Sequence, residues 1–344
     1  MFARTSDRST PERILQRLEW QVIRRLDGLL QGDYRSLFYG YGVDFADLRE
    51  YQPEDDIRYI DWNVTARMDT PYVRQYIEDR EITAWFFLDL SASMDFGIDQ
   101  NLKQAVLVDF VGTFARLLTR HGNRVGALFY TGQSLPQSGS NTSSRKSSQY
   151  GLELVVPAAG GRNHVLRLIN DLARLTRPAQ PSRASSYTNL STLIEGGLHI
   201  LKKRSLVFII SDFFSAPGWE RPLRLLTQRH EVLGIHISDP RELELPDIGP
   251  IIIEDAESGE QVYVDTHDKG FRNRFLEAVQ QHEAALHSTF SHAGVDLLAI
   301  STQDDLVRAI MRFASLRKQR FGKRFSGLHS GASPASSRTW EVGK

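Results

Sequence analysis

The sequence predicts an α/β protein: a doubly wound, mostly parallel sheet preceded by an N-terminal helix and a β-rich arm. Three observations carry this. From about residue 82, apolar runs of strand length alternate with amphipathic segments of helix length. Two of the runs, Ala84 to Leu90 and Leu206 to Ile210, are almost wholly apolar, as strands buried on both faces are. The segments between runs are long enough for the helical crossovers that parallel strands need.

The elements follow in order. Thr10-Pro11-Glu12 gives a helix cap, a proline in the first turn and an acid. Ile14, Leu15, Leu18, Val22, Leu26, Leu29 and Leu30 continue at helical spacing, and Gly28 and Gly32 weaken the end. Residues 33 to 80 are rich in Tyr, Asp and Arg, with Gly40, Gly42, Pro53 and Pro71 as breakers. Short strands and turns are expected there, one around Tyr72 to Glu78. Then come a strand at Ala84–Leu90, a helix over 100–120, a strand at Arg124–Tyr130 and a polar loop over 132–149. A strand at Leu152–Val156, a helix at His164–Leu175 and a second polar loop over 177–188 follow. Next are a helix at Leu190–Lys202, a strand at Ser205–Ser211, a helix at Pro217–Arg229 and a strand at Val232–Ile237. Two short strands flank Glu257-Ser258-Gly259-Glu260, a hairpin signal. A helix at Lys269–His287, a strand at Val295–Ile300 and a helix at Asp304–Leu316 complete the series. The chain divides into an arm (1–81), an α/β domain (82–316) with a hairpin insertion (241–266), and a basic tail (317–344) expected to be disordered.

Composition narrows the function. The 344 residues hold 42 Lys and Arg against 42 Asp and Glu, and no cysteine. Zero net charge argues against a general nucleic-acid coat protein, so no nucleic-acid partner is expected. Without cysteine there is no disulfide scaffold, thiolate zinc site, iron–sulfur cluster or Cys nucleophile. No apolar run approaches the roughly 20 residues of a membrane span, and the N-terminus lacks a signal-peptide core. A cytoplasmic protein without a transmembrane segment is expected.

Doubly wound sheets bind ligands at the C-terminal ends of their strands. Two strand ends and one loop stand out. The first strand runs into Asp89-Leu90-Ser91-Ala92-Ser93, the strand at Leu206–Ile210 into Ser211-Asp212, and Thr188 precedes a helix. Together they offer two carboxylates and three hydroxyls, an all-oxygen set that suits a hard cation such as Mg²⁺, with Mn²⁺ or Ca²⁺ as alternatives. Two carboxylates neutralise a divalent ion, leaving it electrophilic toward an acidic side chain of another protein.

Asp89-x-Ser91-x-Ser93, Thr188 and Asp212 resemble the metal-ion-dependent adhesion site (MIDAS) of von Willebrand factor A domains over residues 82 to 302. The resemblance implies a Rossmann-type fold. It also implies Ser91, Ser93 and Thr188 as direct ligands, with Asp89 and Asp212 acting through water. Gly42-Val43-Asp44-Phe45-Ala46-Asp47-Leu48-Arg49-Glu50-Tyr51-Gln52-Pro53, then Asp55-Asp56-Ile57-Arg58, Ile60-Asp61-Trp62 and Asp239-Pro240-Arg241-Glu242, resemble the signature of the bacterial "domain of unknown function 58" family. Glu54 stands where that family usually has Gly. The resemblance implies a non-enzymatic adaptor or co-chaperone of a MoxR-type AAA+ ATPase, binding the ATPase, a client protein or both. Asp55, Asp56, Arg58 and Trp62 are the candidate partner-binding residues in the arm; mutual Asp/Arg pairing is their structural alternative.

Two other readings compete. A metal-dependent phosphoryl transferase or phosphatase would use Asp89 as nucleophile, but Ser91 occupies the place where a second carboxylate would hold the metal. A structural scaffold would leave the metal site empty. His282, His287 and His292 lack the spacing of a helical zinc motif and read as solvated. Arg312, Arg317, Lys318, Arg320, Lys323 and Arg324, with Phe313, Phe321 and Phe325, read as a solvated helix end and tail. The same chemistry could meet anionic lipid, nucleic acid or an acidic partner.

Overall fold

Helix α1 (Pro11–Leu18) begins the computed structural model, which describes residues 10–26, 48–52, 55, 57, 60, 62–68, 70–74, 82–98, 101–132, 151–176, 188–255 and 258–315. Thr10 caps α1 by accepting from the Arg13 N–H, with Pro11 at the first position. A π turn, Glu19–Ile23, follows and helix resumes to residue 26. Arg17 pairs with Asp109, Arg116 with Glu19 at 2.7 Å and Arg25 with Asp305 at 3.1 Å, so α1 is tied to the main domain.

In the arm, strand β1 (Leu48–Glu50) pairs antiparallel with β2 (Tyr72–Arg74), and helix α2 (Trp62–Met68) lies between them. Among its described residues the arm thus holds a helix, α2, that the sequence reading does not predict. Its aromatics suggest strands, but Trp62–Met68 has no period-two alternation and contains the helix formers Ala66, Arg67 and Met68. Thr65 Oγ1 accepts the Tyr72 N–H at 3.0 Å, joining helix to strand.

The main domain starts with β3 (Thr83–Asp89). A small hairpin, β4 (Gly97–Ile98) and β5 (Asn101–Leu102), leads into α3 (Lys103–Arg120). Then come β6 (Arg124–Tyr130), β7 (Leu154–Ala159), α4 (Arg162–Leu175) and α5 (Leu190–Ile200). β8 (Leu206–Ser211), α6 (Glu220–Thr227), β9 (Glu231–Ser238) and the short α7 (Pro240–Leu243) follow. The hairpin β10 (Pro250–Glu254) and β11 (Gln261–Asp265) precedes α8 (Lys269–Ala293), β12 (Asp296–Ser301) and α9 (306–315).

The central sheet has the order β7-β6-β3-β8-β9-β12. All neighbours are parallel except β6 and β7. Pro157 sits in β7, where an edge strand tolerates the lost N–H. Counted along the chain, the six strands read 3-2-1-4-5-6, so the order reverses between β3 and β8. That is the topological switch point, where such sheets form a crevice.

Alternation along β3 divides the core. Ala84, Phe86 and Leu88 join the layer shared with α1, α3, α4 and α9, where Phe86 stacks on Phe208 at 5.1 Å. Trp85 and Phe87 join the layer shared with α5, α6 and α8. A β-carbon on Gly197 would stand 2.1 Å from the Phe87 ring, so glycine there lets α5 lie on β3. Among the described residues no helix is long and apolar enough to cross a membrane. The polar loops predicted over 132–149 and 177–188 and the tail over 317–344 lie almost wholly outside the described residues.

Candidate functional site

β3 and β8 end side by side at the switch point, and each delivers one carboxylate. Asp89 and Asp212 are both fully buried. Asp89 Oδ1 accepts the Ser91 N–H at 3.0 Å and Oδ2 accepts the Ser211 hydroxyl at 2.6 Å. The first bond curls the chain so that Ser91 and Ser93 return to the same place. Their hydroxyl oxygens stand 3.2 Å apart.

Beyond Asp212 the backbone turns sharply. Ser211 Oγ accepts the Phe213 N–H at 2.8 Å, and Asp212 Oδ1 accepts the Phe214 N–H at 3.1 Å. Phe213 takes a left-handed φ of 57°, unusual for a bulky side chain. Its ring is held against Trp219 and Phe290, so the core fixes this conformation. The loop that follows anchors Thr188, which precedes α5. Thr188 is buried, and its carbonyl accepts the Ser215 hydroxyl at 3.1 Å and the Ala216 N–H at 2.9 Å. The next residue's N–H donates to the Tyr130 hydroxyl at 2.9 Å. All five predicted metal-site residues thus belong to segments gathered at one sheet edge.

Three residues that the sequence reading did not assign complete the cluster. Ser211 holds Asp89. Lys103, the first residue of α3, is fully buried and donates to Asp212 Oδ2 at 2.8 Å and to the Ser93 carbonyl at 3.1 Å. Its ammonium also lies 2.6 Å from Glu242 Oε1 on α7. A signal for Lys103 was available. A cation in a helix's first turn opposes the helix dipole, so it needs another partner, and α3 has no acid in that turn and no side-chain cap. Phe96 and Phe214 lie 5.7 Å and 5.9 Å from the Lys103 nitrogen.

The electrostatics favour added positive charge. Burial, then the neighbouring Asp212 charge, push Asp89 up to about 7, against the pull of the Ser211 and Ser91 hydrogen bonds. Burial also raises Glu242, with Lys103 pulling the other way. Taken as ionised, Asp89, Asp212 and Glu242 hold three negative charges against one on Lys103. The 3.2 Å between the Ser91 and Ser93 oxygens is close to the roughly 3 Å edge of an octahedron with bonds of 2.0–2.1 Å. Among the described residues no group of three or more His, Cys, Asp and Glu is placed to hold a metal. A cation here would therefore draw on the serine and threonine hydroxyls. The residues fit Mg²⁺ on donor type and on the spacing of the Ser91 and Ser93 oxygens.

Asp239, at the end of β9, is a separate buried acid. Its carboxylate takes two bonds of 2.7 Å from the Arg241 guanidinium and one of 2.7 Å from the Thr302 hydroxyl beyond β12. The Arg241 hydrogen bonds hold it well below the usual carboxylate range. A depressed native pKa stabilises the fold above the unfolded value, and that contribution fades as pH falls through the native one. Asp239→Asn is therefore expected to be less stable than wild type above about pH 4, with the gap closing in stronger acid. Urea unfolding across that range measures it, and a gap that widens on acidification contradicts the assignment.

Trp62 is exposed, and the Asp55 carboxylate accepts the Gln52 N–H at 2.8 Å. Asp56 and Arg58 lie outside the described residues. His287 and His292 are exposed as expected, but His282 is not simply solvated. Its ring stacks on Phe214 at 4.5 Å, and its Nε2 is buried without a hydrogen-bond partner.

Residues 47–285 match the family described as "Protein of unknown function DUF58". Proteins of Mycobacterium tuberculosis and Mycobacterium bovis, both named as uncharacterized, are 37% identical over 305 residues, covering 89% of this chain and 89% of each relative. A crystal structure of the conserved hypothetical protein BatB from Bacteroides thetaiotaomicron is 12% identical with a TM-score of 0.39, covering 69% of this chain and 99% of that one.

Proposed function

The chain belongs to the DUF58 family, and on that premise we propose that it is a non-enzymatic, metal-dependent protein-binding adaptor with a von Willebrand factor A-like domain. One observation carries the reading. Asp89, Ser91, Ser93, Thr188 and Asp212 gather at the switch point of the sheet, in a cluster that sets three carboxyl groups around a single ammonium. The strand order, its antiparallel edge strand and the position of Asp89-x-Ser91-x-Ser93 at the end of the first sheet strand support the domain type.

In this reading Ser91, Ser93 and Thr188 would hold Mg²⁺, with Asp89 and Asp212 in support. Bound Mg²⁺ supplies an electrophilic position for a partner's carboxylate. The chain's own residues do the rest. Ser211 and the Ser91 N–H orient Asp89, and Lys103 fixes Asp212 against the Ser93 carbonyl. The backbone turn at Phe213 keeps Asp212 at the edge. Asp89 is buried with both oxygens hydrogen-bonded, which suits a supporting ligand better than an attacking nucleophile. The partner, by the resemblance noted from the sequence, is a MoxR-type AAA+ ATPase or its client in the cytoplasm.

Co-purification tests this. Tagged wild type is expected to recover the ATPase or client, with recovery lost in EDTA and in Asp89→Ala. Equal recovery under all conditions would overturn metal-dependent docking.

A further inference from the structure

Among the described residues the hairpin β10–β11 pairs only with itself, outside the central sheet. Its base is firmly held. The Thr266 hydroxyl donates to the Gly249 carbonyl at 2.7 Å and accepts the Ile248 N–H at 3.0 Å, while Arg272 reaches Asp247 at 3.2 Å. Its body displays apolar surface. Ile252 and Tyr263 face each other across the ladder and are 66% and 71% exposed. Val262 is exposed on the opposite face of the hairpin, and Ile248 is exposed just before β10. Cross-strand apolar pairs stabilise a sheet by leaving water, and a two-stranded hairpin is marginal without that. An exposed patch of this kind marks an interaction surface.

Charge selects the occupant. Residues 250–265 contain Glu254, Asp255, Glu257, Glu260 and Asp265 and no Lys or Arg. Such a surface repels nucleic acid and anionic lipid and attracts a cationic segment with apolar side chains. This chain carries one. Residues 317–325 hold Arg317, Lys318, Arg320, Lys323 and Arg324 with Phe321 and Phe325, and no acid. The five bases match the five acids of the hairpin.

Topology sets α9, the last described element before this segment, at some remove from the hairpin. α9 follows the parallel strand β12, so it runs back toward the N-terminal edge of the sheet. The hairpin lies between α7, which follows the C-terminal end of β9, and α8, which starts at that same edge before descending to β12. We propose that the β10–β11 hairpin docks the basic, aromatic segment 317–325 of a second copy. The contact joins two different surfaces, so it is heterologous and builds rings or chains of subunits. It is independent of the metal site.

Analytical ultracentrifugation of the full-length protein over a concentration series tests this. At low salt the wild type is expected to exceed one chain in mass, and salt should weaken the association. Ile252→Lys with Tyr263→Lys should return it to one chain, as should Arg317→Glu with Arg320→Glu and Arg324→Glu. The hairpin side chains are exposed, so the fold should persist, and circular dichroism checks that it does. Adding Glu254→Lys and Glu260→Lys to the tail reversal should restore association, an outcome that misfolding cannot mimic. A wild type that stays at one chain throughout would overturn the proposal, as would association that survives both sets of changes. A single-chain wild type whose hairpin still binds a labelled 317–325 peptide would place the contact within one copy, and would overturn the second-copy assignment.

Discussion

Lys103→Met is expected to lower the free energy of unfolding by about 3–5 kcal/mol, the loss typical when one member of a buried ion pair is removed. Methionine fills similar space without the charge, so packing changes little and electrostatics dominates. Lys103 and Asp212 are both shielded from water, and Glu242 is mostly so. Removing the ammonium leaves both carboxylates without it, beside an Asp89 that burial and Asp212 already push up. It also frees the Ser93 carbonyl. Urea unfolding of wild type and variant measures the difference. A loss under about 1 kcal/mol, the range of an exposed pair, would contradict the central place given to Lys103.

The second large effect is the response to Mg²⁺. A ligand that binds only the folded state, present at about 100 times its dissociation constant, stabilises by about 2.7 kcal/mol. Wild type is expected to gain this amount in saturating Mg²⁺. Ser91→Ala with Ser93→Ala should abolish the gain. This pair of changes removes the two hydroxyls together, so neither is left without the other. Removing both ends of a hydrogen bond is far milder than orphaning one. Stability without Mg²⁺ should therefore stay within about 1 kcal/mol of wild type, which separates a lost ligand from a damaged fold.

The sequence made some of this legible and hid the rest, for physical reasons. The sheet was readable because its strands are buried on both faces, so runs such as Ala84–Leu90 carry their own signature. Helix ends were less so. α8 extends to Ala293, beyond the expected His287, because its last turns carry polar residues on a solvated face. Gly294, in the left-handed conformation, is the stop signal that the apolar spacing did not show. In the site, Asp89, Ser91, Ser93 and Asp212 stood out because each lies at the end of a recognisable strand. Lys103 and Glu242 did not. Lys103 meets Asp212 across 109 residues of sequence, and that contact exists only once α3 is laid on the sheet. The helix at Trp62–Met68 was missed because aromatic content outweighed the missing alternation.

The claim that a divalent cation belongs at this sheet edge is tested most directly by calorimetric titration of Mg²⁺ into the full-length protein. Saturable binding of one ion per chain is the predicted result, absent after Ser91→Ala with Ser93→Ala. No saturable heat in wild type, or the same binding in the variant, would contradict it.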